Sequence, residues 1–349
     1  MLSALVYTPH SFIRRHLPRF ERGLTALGLA GLVYMLLDSL PVFPPFWDGV
    51  IVAAVCLTTF TSPFMGYSLA TLAAFYPIST ISIYLAVLFI AIAILAMRPL
   101  SQHLGATILV LAAPWLGGYS LGWVIPLLGG LWWGATGGSW IGALAAFWGL
   151  LATGMAGLTP DWLVIAGRMS LMPGILERFA GADSLETLGL LLYPLAPDTT
   201  VLLYNLLQIG LWGLVGTLAG NLNDRPEVQH HRPWGGALIA LVGGFVLFGA
   251  HFALALWLAQ PVTATLHTGF WLMAAATSGV ITAALEMVQD FFEHPLPRLG
   301  WKKPRPGGAT APKPIPAPEP VIPPTHFQPF QKENKQSKED LIQLELDEE

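Results

Sequence analysis

Three polar side chains, His251, Asn205 and Gln208, lie inside long apolar stretches of this chain. Asn205 and Gln208 are one helical turn apart in 201–220, and His251 is midway along 236–259. Imidazole and amide groups donate and accept hydrogen bonds, so they can bind a polar solute or join two helices. We take them as candidates for a solute site, with structural hydrogen bonding between helices as the alternative.

Carboxylates form two further groups. Asp38 and Asp48 flank a proline-containing turn and are candidates for the external mouth of the same solute site, or else ordinary interfacial residues. Glu286, Asp290 and Glu293 follow i, i+4, i+7 spacing near the end of the last apolar stretch. Such spacing can relay protons or bind a cation, but the position favours the solvated face of a helix leaving the membrane.

Signatures of enzymes are missing from the chain. It contains no H-E-x-x-H, phosphate-binding P-loop, paired C-x-x-C or G-x-S-x-G motif. His230 and His231 are adjacent, which is a weak arrangement for a metal, and the single Cys56 excludes an intrachain disulfide. We therefore expect no catalytic residue, no cofactor, no metal and no nucleic-acid partner.

The composition indicates the elements that position these groups. The 349 residues are 54% hydrophobic and 11% charged, and only Asp38, Asp48 and Arg98 are charged between Arg22 and Asp161. Soluble domains carry about a quarter charged residues. Runs of ~20 apolar residues span a bilayer as helices, which satisfy their own backbone groups. The sequence predicts an all-α polytopic integral membrane protein whose partner is the lipid bilayer.

The apolar runs divide the chain into segments. Long spans are predicted at 24–40, 78–97, 139–155, 201–220, 236–259 and 270–292. The pieces within 49–76 and 106–134 are short and broken by glycine or proline, so they are short or re-entrant segments, and roughly eight to ten membrane segments result. A helical body at 23–294 therefore contains an external loop region at 158–199, with amphipathic patches at 162–171 and 175–179.

Orientation follows from the positions of arginine and lysine. Arginines cluster before residue 23, a single arginine is at Arg98, two more are in the 225–232 loop, and basic residues cluster again at 298–305. Because positive charge is retained on the cytoplasmic side, both termini are predicted to be cytoplasmic in a multi-pass protein of the plasma or inner membrane. Residues 1–22 form a basic amphipathic arm lying on the membrane surface.

The strongest local pattern is a ladder of glycines, Gly130, Gly134, Gly138 and Gly142, followed by Ala146. Four-residue spacing places small groups on one helix face and lets a neighbouring backbone approach closely. This requires a continuous helix through 136–138. If the helix breaks, the ladder becomes two shorter packing faces around an irregular segment, which is tolerated beside a cavity.

The composition changes at about residue 295. Residues 295–349 are rich in proline and charge and are predicted to form a disordered cytoplasmic tail. Its acidic end carries apolar residues that can dock into a partner, namely Leu341, Ile342, Leu344 and Leu346. A solvated, unstructured end is the alternative.

The first span contains Ala26-Leu-Gly-Leu-Ala30, which resembles the A-x-x-x-A motif of the substrate-binding S-components of energy-coupling-factor vitamin transporters. Glycine-rich helices and cytoplasmic termini are similar to that family. The resemblance covers about 23–220 and implies that Ala26 and Ala30 dock on a membrane coupling subunit with associated ATPases, while outer helix ends hold a vitamin. The chain is longer than a typical S-component, with more spans and a proline-rich tail.

Two functions remain after these exclusions. The first is a transport-related subunit that binds a small solute from outside and relies on a partner for energy. The second is a non-transporting scaffold or regulatory subunit that recruits a partner through its C-terminal tail. The first accounts for the interrupted helices and buried polar residues, and the second accounts for the tail.

Overall fold

The computed structural model describes residues 15–157, 171–231, 234–258 and 261–293, with side chains at 171, 261–267 and 293 left out of the description. Within these ranges the chain is helical and forms no strand. Six of the helices are long and apolar enough to cross a membrane. The predicted class, an all-α polytopic membrane protein, is confirmed. The tail at 295–349, including Leu341–Leu346, lies outside the described residues.

The outer surface of the helices is apolar. Large hydrophobic side chains that are more than 60% exposed include Leu24, Leu57, Leu72 and Leu238, which lie on four different helices. Water would penalise this much exposed hydrocarbon, whereas lipid does not. The surface therefore agrees with a membrane-embedded body.

The described helices follow one another closely along the chain. They are α1 Leu17–Ser39, α2 Trp47–Thr61, α3 Pro63–Ile81, α4 Ile83–Leu95, α5 Met97–Gln102, α6 Leu104–Leu111, α7 Ala113–Gly118, α8 Val124–Met155, α9 Leu171–Phe179, α10 Ser184–Leu192, α11 Thr199–Asn223, α12 Pro226–His230, α13 Trp234–Trp257 and α14 Pro261–Glu293. Beside the six long helices, the described chain has three shorter apolar segments, at Trp47–Thr61, Ile83–Leu95 and Ser184–Leu195.

Helices α1, α2, α3 and α6 pack together around a buried cluster that includes Leu29, Leu37 and Tyr67. The boundaries of α3 differ from the sequence expectation, because Pro77 lies inside the helix and the break falls at Ser82. The Ser62 hydroxyl accepts a hydrogen bond from the Met65 amide and caps α3, and Ser82 caps α4 in the same way. The capping serines, rather than the proline, divide this region.

Helix α8 is two helices joined by a sharp turn at Gly134, where φ is 70° and ψ is −175°. A methyl group built on Gly142 would lie 3.2 Å from Pro126 Cβ. A straight helix would separate these residues by about 24 Å. The first limb, 124–133, therefore folds back antiparallel to the second limb, 135–155.

The first limb also pairs with α6 and α7. A Cβ on Gly105 would lie 3.6 Å from the indole of Trp133, so the start of α6 and the end of the first limb share one end. Residues 119–123 connect the opposite ends without regular structure. We call α6, α7, this turn and the first limb the re-entrant hairpin. The predicted re-entrant character of 106–134 thus has a definite geometry.

Helix α11 crosses both limbs of α8 at very close range. A Cβ on Gly138 would lie 2.5 Å from Gly130 Cα and 2.6 Å from the Gly216 carbonyl oxygen. Gly142 likewise abuts the backbone at Trp212. Three backbone segments therefore meet at this point, and any residue larger than glycine would push them apart.

The prediction of one continuous glycine face is wrong at Gly134. This residue has no atom within 4 Å of its ideal Cβ position and supplies the left-handed turn instead. Gly130, Gly138 and Gly142 do pack, but from two antiparallel limbs. The alternative of two shorter packing faces around a break describes the structure.

Helices α13 and α14 form an antiparallel pair beside this crossing, with Gly244 against the Ala275 carbonyl. Helices α9 and α10, which follow α8 in the sequence, pack against the C-terminal end of α8. Ile175 and Phe179 pack against Ala152 and Met155. The second amphipathic patch therefore folds onto the helical body, and most of the first lies outside the described residues.

Candidate functional site

The turn of the re-entrant hairpin is buried among the long helices. Ser120 has φ 60°, is 3% exposed, and its carbonyl oxygen accepts long hydrogen bonds of 3.4 Å from the hydroxyls of Thr277 and Ser278. Trp123, at the end of the turn, is fully buried. Irregular backbone therefore lies against the middle of α14, an arrangement that membrane proteins tolerate where the backbone is enclosed by protein.

His251 projects from α13 toward this turn. Its ring lies 5.0 Å from the ring of Trp123, and its Nε2 accepts a hydrogen bond from Trp212 Nε1 at 3.4 Å. Nδ1 lies 2.9 Å from the Leu247 carbonyl oxygen, so this nitrogen carries the proton in a neutral ring. His251 thus joins α13 to α11 and contacts the hairpin.

Gln208 and Asn205 occupy the buried face of α11, continuous with Trp212. Asn205 Nδ2 donates to the Leu195 carbonyl at 2.9 Å, while its Oδ1 has no hydrogen-bond partner among the described residues. Gln208 is fully buried, and within the same ranges neither its Nε2 nor its Oε1 has one. An unpaired buried amide costs about 1–3 kcal/mol, so Gln208 is the group here that most requires explanation.

Sequence reasoning missed the indoles around these amides. Trp123, Trp212 and Trp271 are all fully buried and belong to one cluster. Within the described chain the Nε1 donors of Trp123 and Trp271 have no partner. The available signal was the position of Trp123 at the junction of two short apolar segments, where a buried turn brings its side chain inward.

Glu286 departs from its expected position. It is 7% exposed, its Oε2 accepts a hydrogen bond from Trp132 Nε1 at 3.1 Å, and its side chain packs where Gly236 leaves space. The interpretation of Glu286 as part of a solvated face is therefore wrong. Ser278 and Thr282, at i−8 and i−4 on the same helix, are fully buried as well.

Asp38 and Asp48 do not join this group. Asp38 is exposed at the end of α1, and Asp48 is half-buried in the first turn of α2. These two helices make their main contacts with each other and with α3, whereas His251 lies on α13. Trp212 therefore links His251 to α11, and Gln208 and Asn205 lie one and two helical turns before Trp212 on the same buried face, whereas the two aspartates lie on other helices.

Ala26 and Ala30 face the interior of the chain's own helices. They are 1% and 3% exposed. Ala26 and Ala30 are candidates for helix packing or for docking on a subunit. Packing within the chain matches their burial, whereas docking on a subunit would require the helices around them to move apart.

No group of three or more His, Cys, Asp or Glu side chains in the described ranges is placed to hold a metal ion. A groove of about 240 Å³ lies between α11 and α13, lined by apolar side chains such as Leu218, Leu238 and Val242. It contains none of the predicted site residues and suits a lipid chain rather than a polar solute.

Comparison of the sequence with protein-family models, and of the chain with curated proteins and solved structures, finds no match. Function is therefore inferred from the geometry of the buried polar residues near the hairpin turn.

Proposed function

We propose that this integral membrane protein is a transport-related subunit that binds a small solute at the turn of the re-entrant hairpin. The observation that carries the proposal is the fully buried Gln208 amide, whose donor and acceptor have no partner within the described chain. A solute that accepts one hydrogen bond and donates another would satisfy both atoms.

The groups near the hairpin turn indicate the chemistry of the solute. Gln208 lies one helical turn before Trp212, which bonds the neutral His251, and the rings of His251 and Trp123 are in contact. His251 and the indole donors of Trp123 and Trp271 offer hydrogen bonds and flat apolar faces without a formal charge. Such a site suits a small, uncharged, planar molecule carrying hydrogen-bond acceptors, which includes several water-soluble vitamins. The side chains pack closely, so the solute enters when the hairpin moves away from α11 and α13.

In this proposal the protein lies in the plasma or inner membrane. The arginine-rich segments favour the cytoplasmic side for both termini, which requires an even number of membrane crossings. The solute then reaches the hairpin turn from outside. A membrane coupling subunit with ATPases supplies the energy, as the resemblance of the first span to S-components implies.

The test is ligand-induced stabilisation of the purified full chain. A panel of water-soluble vitamins is added and the melting temperature is measured for wild type, Gln208→Leu and Asn223→Leu. At about 100 times Kd a ligand adds about 2.7 kcal/mol, equivalent to roughly 5–10 °C. The shift should appear in wild type and Asn223→Leu and disappear in Gln208→Leu.

Asn223 is the matched control because it lies on the same helix, where its Nδ2 donates to the Leu131 carbonyl at 3.1 Å. Its substitution removes an interhelical hydrogen bond away from the hairpin turn. If no compound stabilises the wild type, or if Gln208→Leu retains the full shift, the proposed solute site is refuted.

The scaffold function makes a different prediction. The C-terminal tail on which the scaffold function depends lies outside the described residues, so the scaffold function remains a prediction from sequence. Removing 304–349 from a protein whose main role is recruitment abolishes partner capture, whereas a solute-binding body keeps its ligand-induced shift after the same deletion.

A further inference from the structure

The buried carboxyl of Glu286 connects the base of the re-entrant hairpin to the two helices behind it. Its Oε2 accepts the hydrogen bond from Trp132, which is in the first limb, and its Oε1 lies beside Gly236 at the start of α13. Glu286 itself belongs to α14. The Glu286 side chain therefore connects its own helix, α14, to the first limb and to α13 at the base of the hairpin.

Glu286 is also part of a polar row that reaches the hairpin turn. Ser278, Thr282 and Glu286 repeat every four residues and share one face of α14. The Ser278 hydroxyl binds the Ser120 carbonyl at the turn, and Glu286 binds Trp132 at the base. Thr282, between them, is fully buried, and in the described chain its hydroxyl has no hydrogen-bond partner.

Titratable groups on the described parts of the elements around Glu286 are few. Helix α8 contains no Asp, Glu, His, Lys or Arg, and in α13 the only such residue is His251, four turns from Gly236. On α14 itself, Asp290 is one turn further along. The exposed residues Glu227 and His231, on and after α12, are near the start of α13 in sequence. Glu286 is thus the buried acid among the elements that hold the hairpin.

We propose that Glu286 is a reversible proton-binding site that controls how firmly the re-entrant hairpin is held. The ionised carboxylate accepts a charge-assisted hydrogen bond from the Trp132 indole, and such bonds are about twice as strong as neutral ones. A proton taken from the aqueous phase converts the carboxylate to a neutral carboxylic acid. The Trp132 contact then weakens, and the hairpin opens more often.

Three observations support a proton rather than a metal cation as the ligand. The contact that Glu286 makes with the hairpin is an N–H donor, which repels a cation instead of coordinating it. The described residues provide no cluster of metal-ligating side chains. The neighbouring hydroxyl of Thr282 can accept a hydrogen bond from a protonated carboxyl, and it has no competing partner within the described chain.

The first measurement tests proton binding without any solute. Infrared difference spectra between acid and neutral pH are recorded for the full chain in lipid, and the C=O stretch of a protonated carboxyl is followed. We expect the band in wild type and in the control Asp290→Asn to contain one carboxyl component that is missing from Glu286→Gln. A band that persists unchanged in Glu286→Gln overturns the proposal.

The second measurement tests control of the hairpin. Glu286→Gln mimics the neutral acid, so amide hydrogen exchange in the peptide covering 119–133 should be roughly fivefold faster than in wild type at one pH. Trp132→Phe should produce the same acceleration, and combining it with Glu286→Gln should add little. Equal exchange in wild type and Glu286→Gln would overturn the proposal.

This inference is independent of the solute proposed above. Loss of ligand-induced stabilisation in every variant would refute the solute site while leaving the infrared band and the exchange rates intact. Conversely, a solute shift that depends on Gln208 can coexist with an unresponsive Glu286.

Discussion

The three-way glycine crossing predicts a large effect from the smallest possible side chain. In Gly138→Ala the added methyl carbon would lie 2.5 Å from Gly130 Cα and 2.6 Å from the Gly216 carbonyl oxygen. Ordinary contact of a Cβ atom begins at 3.4 Å, so the three backbones must separate by about 1 Å. Because both neighbours are main chain, no side-chain rotation can relieve the overlap.

The energy of this change follows from two opposing effects. Overpacking costs about 1–3 kcal/mol, and backbone overlap places this site near the upper end. Replacing glycine with alanine inside a helix returns about 1 kcal/mol. The net destabilisation of Gly138→Ala is therefore about 2 kcal/mol. Gly210→Ala on α11 provides the control, since nothing lies within 4 Å of its Cβ position, and it should stabilise by up to about 1 kcal/mol.

Thermal unfolding of the full chain in detergent measures the difference. At about 2–4 °C per kcal/mol, the ~3 kcal/mol gap between the two variants separates their melting temperatures by roughly 6–12 °C. Each variant must first be shown to elute as a monodisperse species. If Gly138→Ala melts within 1 °C of Gly210→Ala, the close crossing of α8 and α11 is refuted.

Three further effects follow from polar contacts. The Arg178 guanidinium donates a hydrogen bond to the Gly154 carbonyl at 2.6 Å, at the end of α8. Arg178→Gln removes this cation and should lower the free energy of unfolding by about 0.3–1 kcal/mol, an effect that high salt reduces. Ser62→Ala should cost about 1 kcal/mol in thermal unfolding by removing a helix cap, whereas Ser62→Asp should keep the cap. Trp212→Phe and His251→Leu should be non-additive in a double-mutant cycle, and additive values would contradict their hydrogen bond.

The sequence predicted the helical membrane class because that class depends on local composition, whereas it offered the break in the glycine ladder only as the alternative to one continuous packing face. It also identified Asn205, Gln208 and His251 as buried, since polar groups inside apolar runs must face protein. It did not pair His251 with Trp212, because the two are 39 residues apart and periodicity does not tell which helix a buried face meets.

The errors have a common physical origin. Glu286 was assigned to water because it lies near a helix end, but Gly236 on a neighbouring helix leaves space that the carboxyl occupies. Asp38 and Asp48 were grouped with the solute site because external ends share one side of a membrane. Residues on the same side of a membrane need not be in contact, and the main contacts of α1 and α2 are with each other and with α3.

The left-handed turn at Gly134 has a consequence for biosynthesis. Residues 124–155 emerge from the ribosome as one apolar stretch long enough to enter the bilayer as a single straight helix. The fold-back is held by contacts of Gly130 and Gly138 with Gly216, which belongs to a helix made much later. The limbs of α8 can contact each other and α6 before α11 is made, but the three-way glycine crossing is complete only after α11 has been inserted.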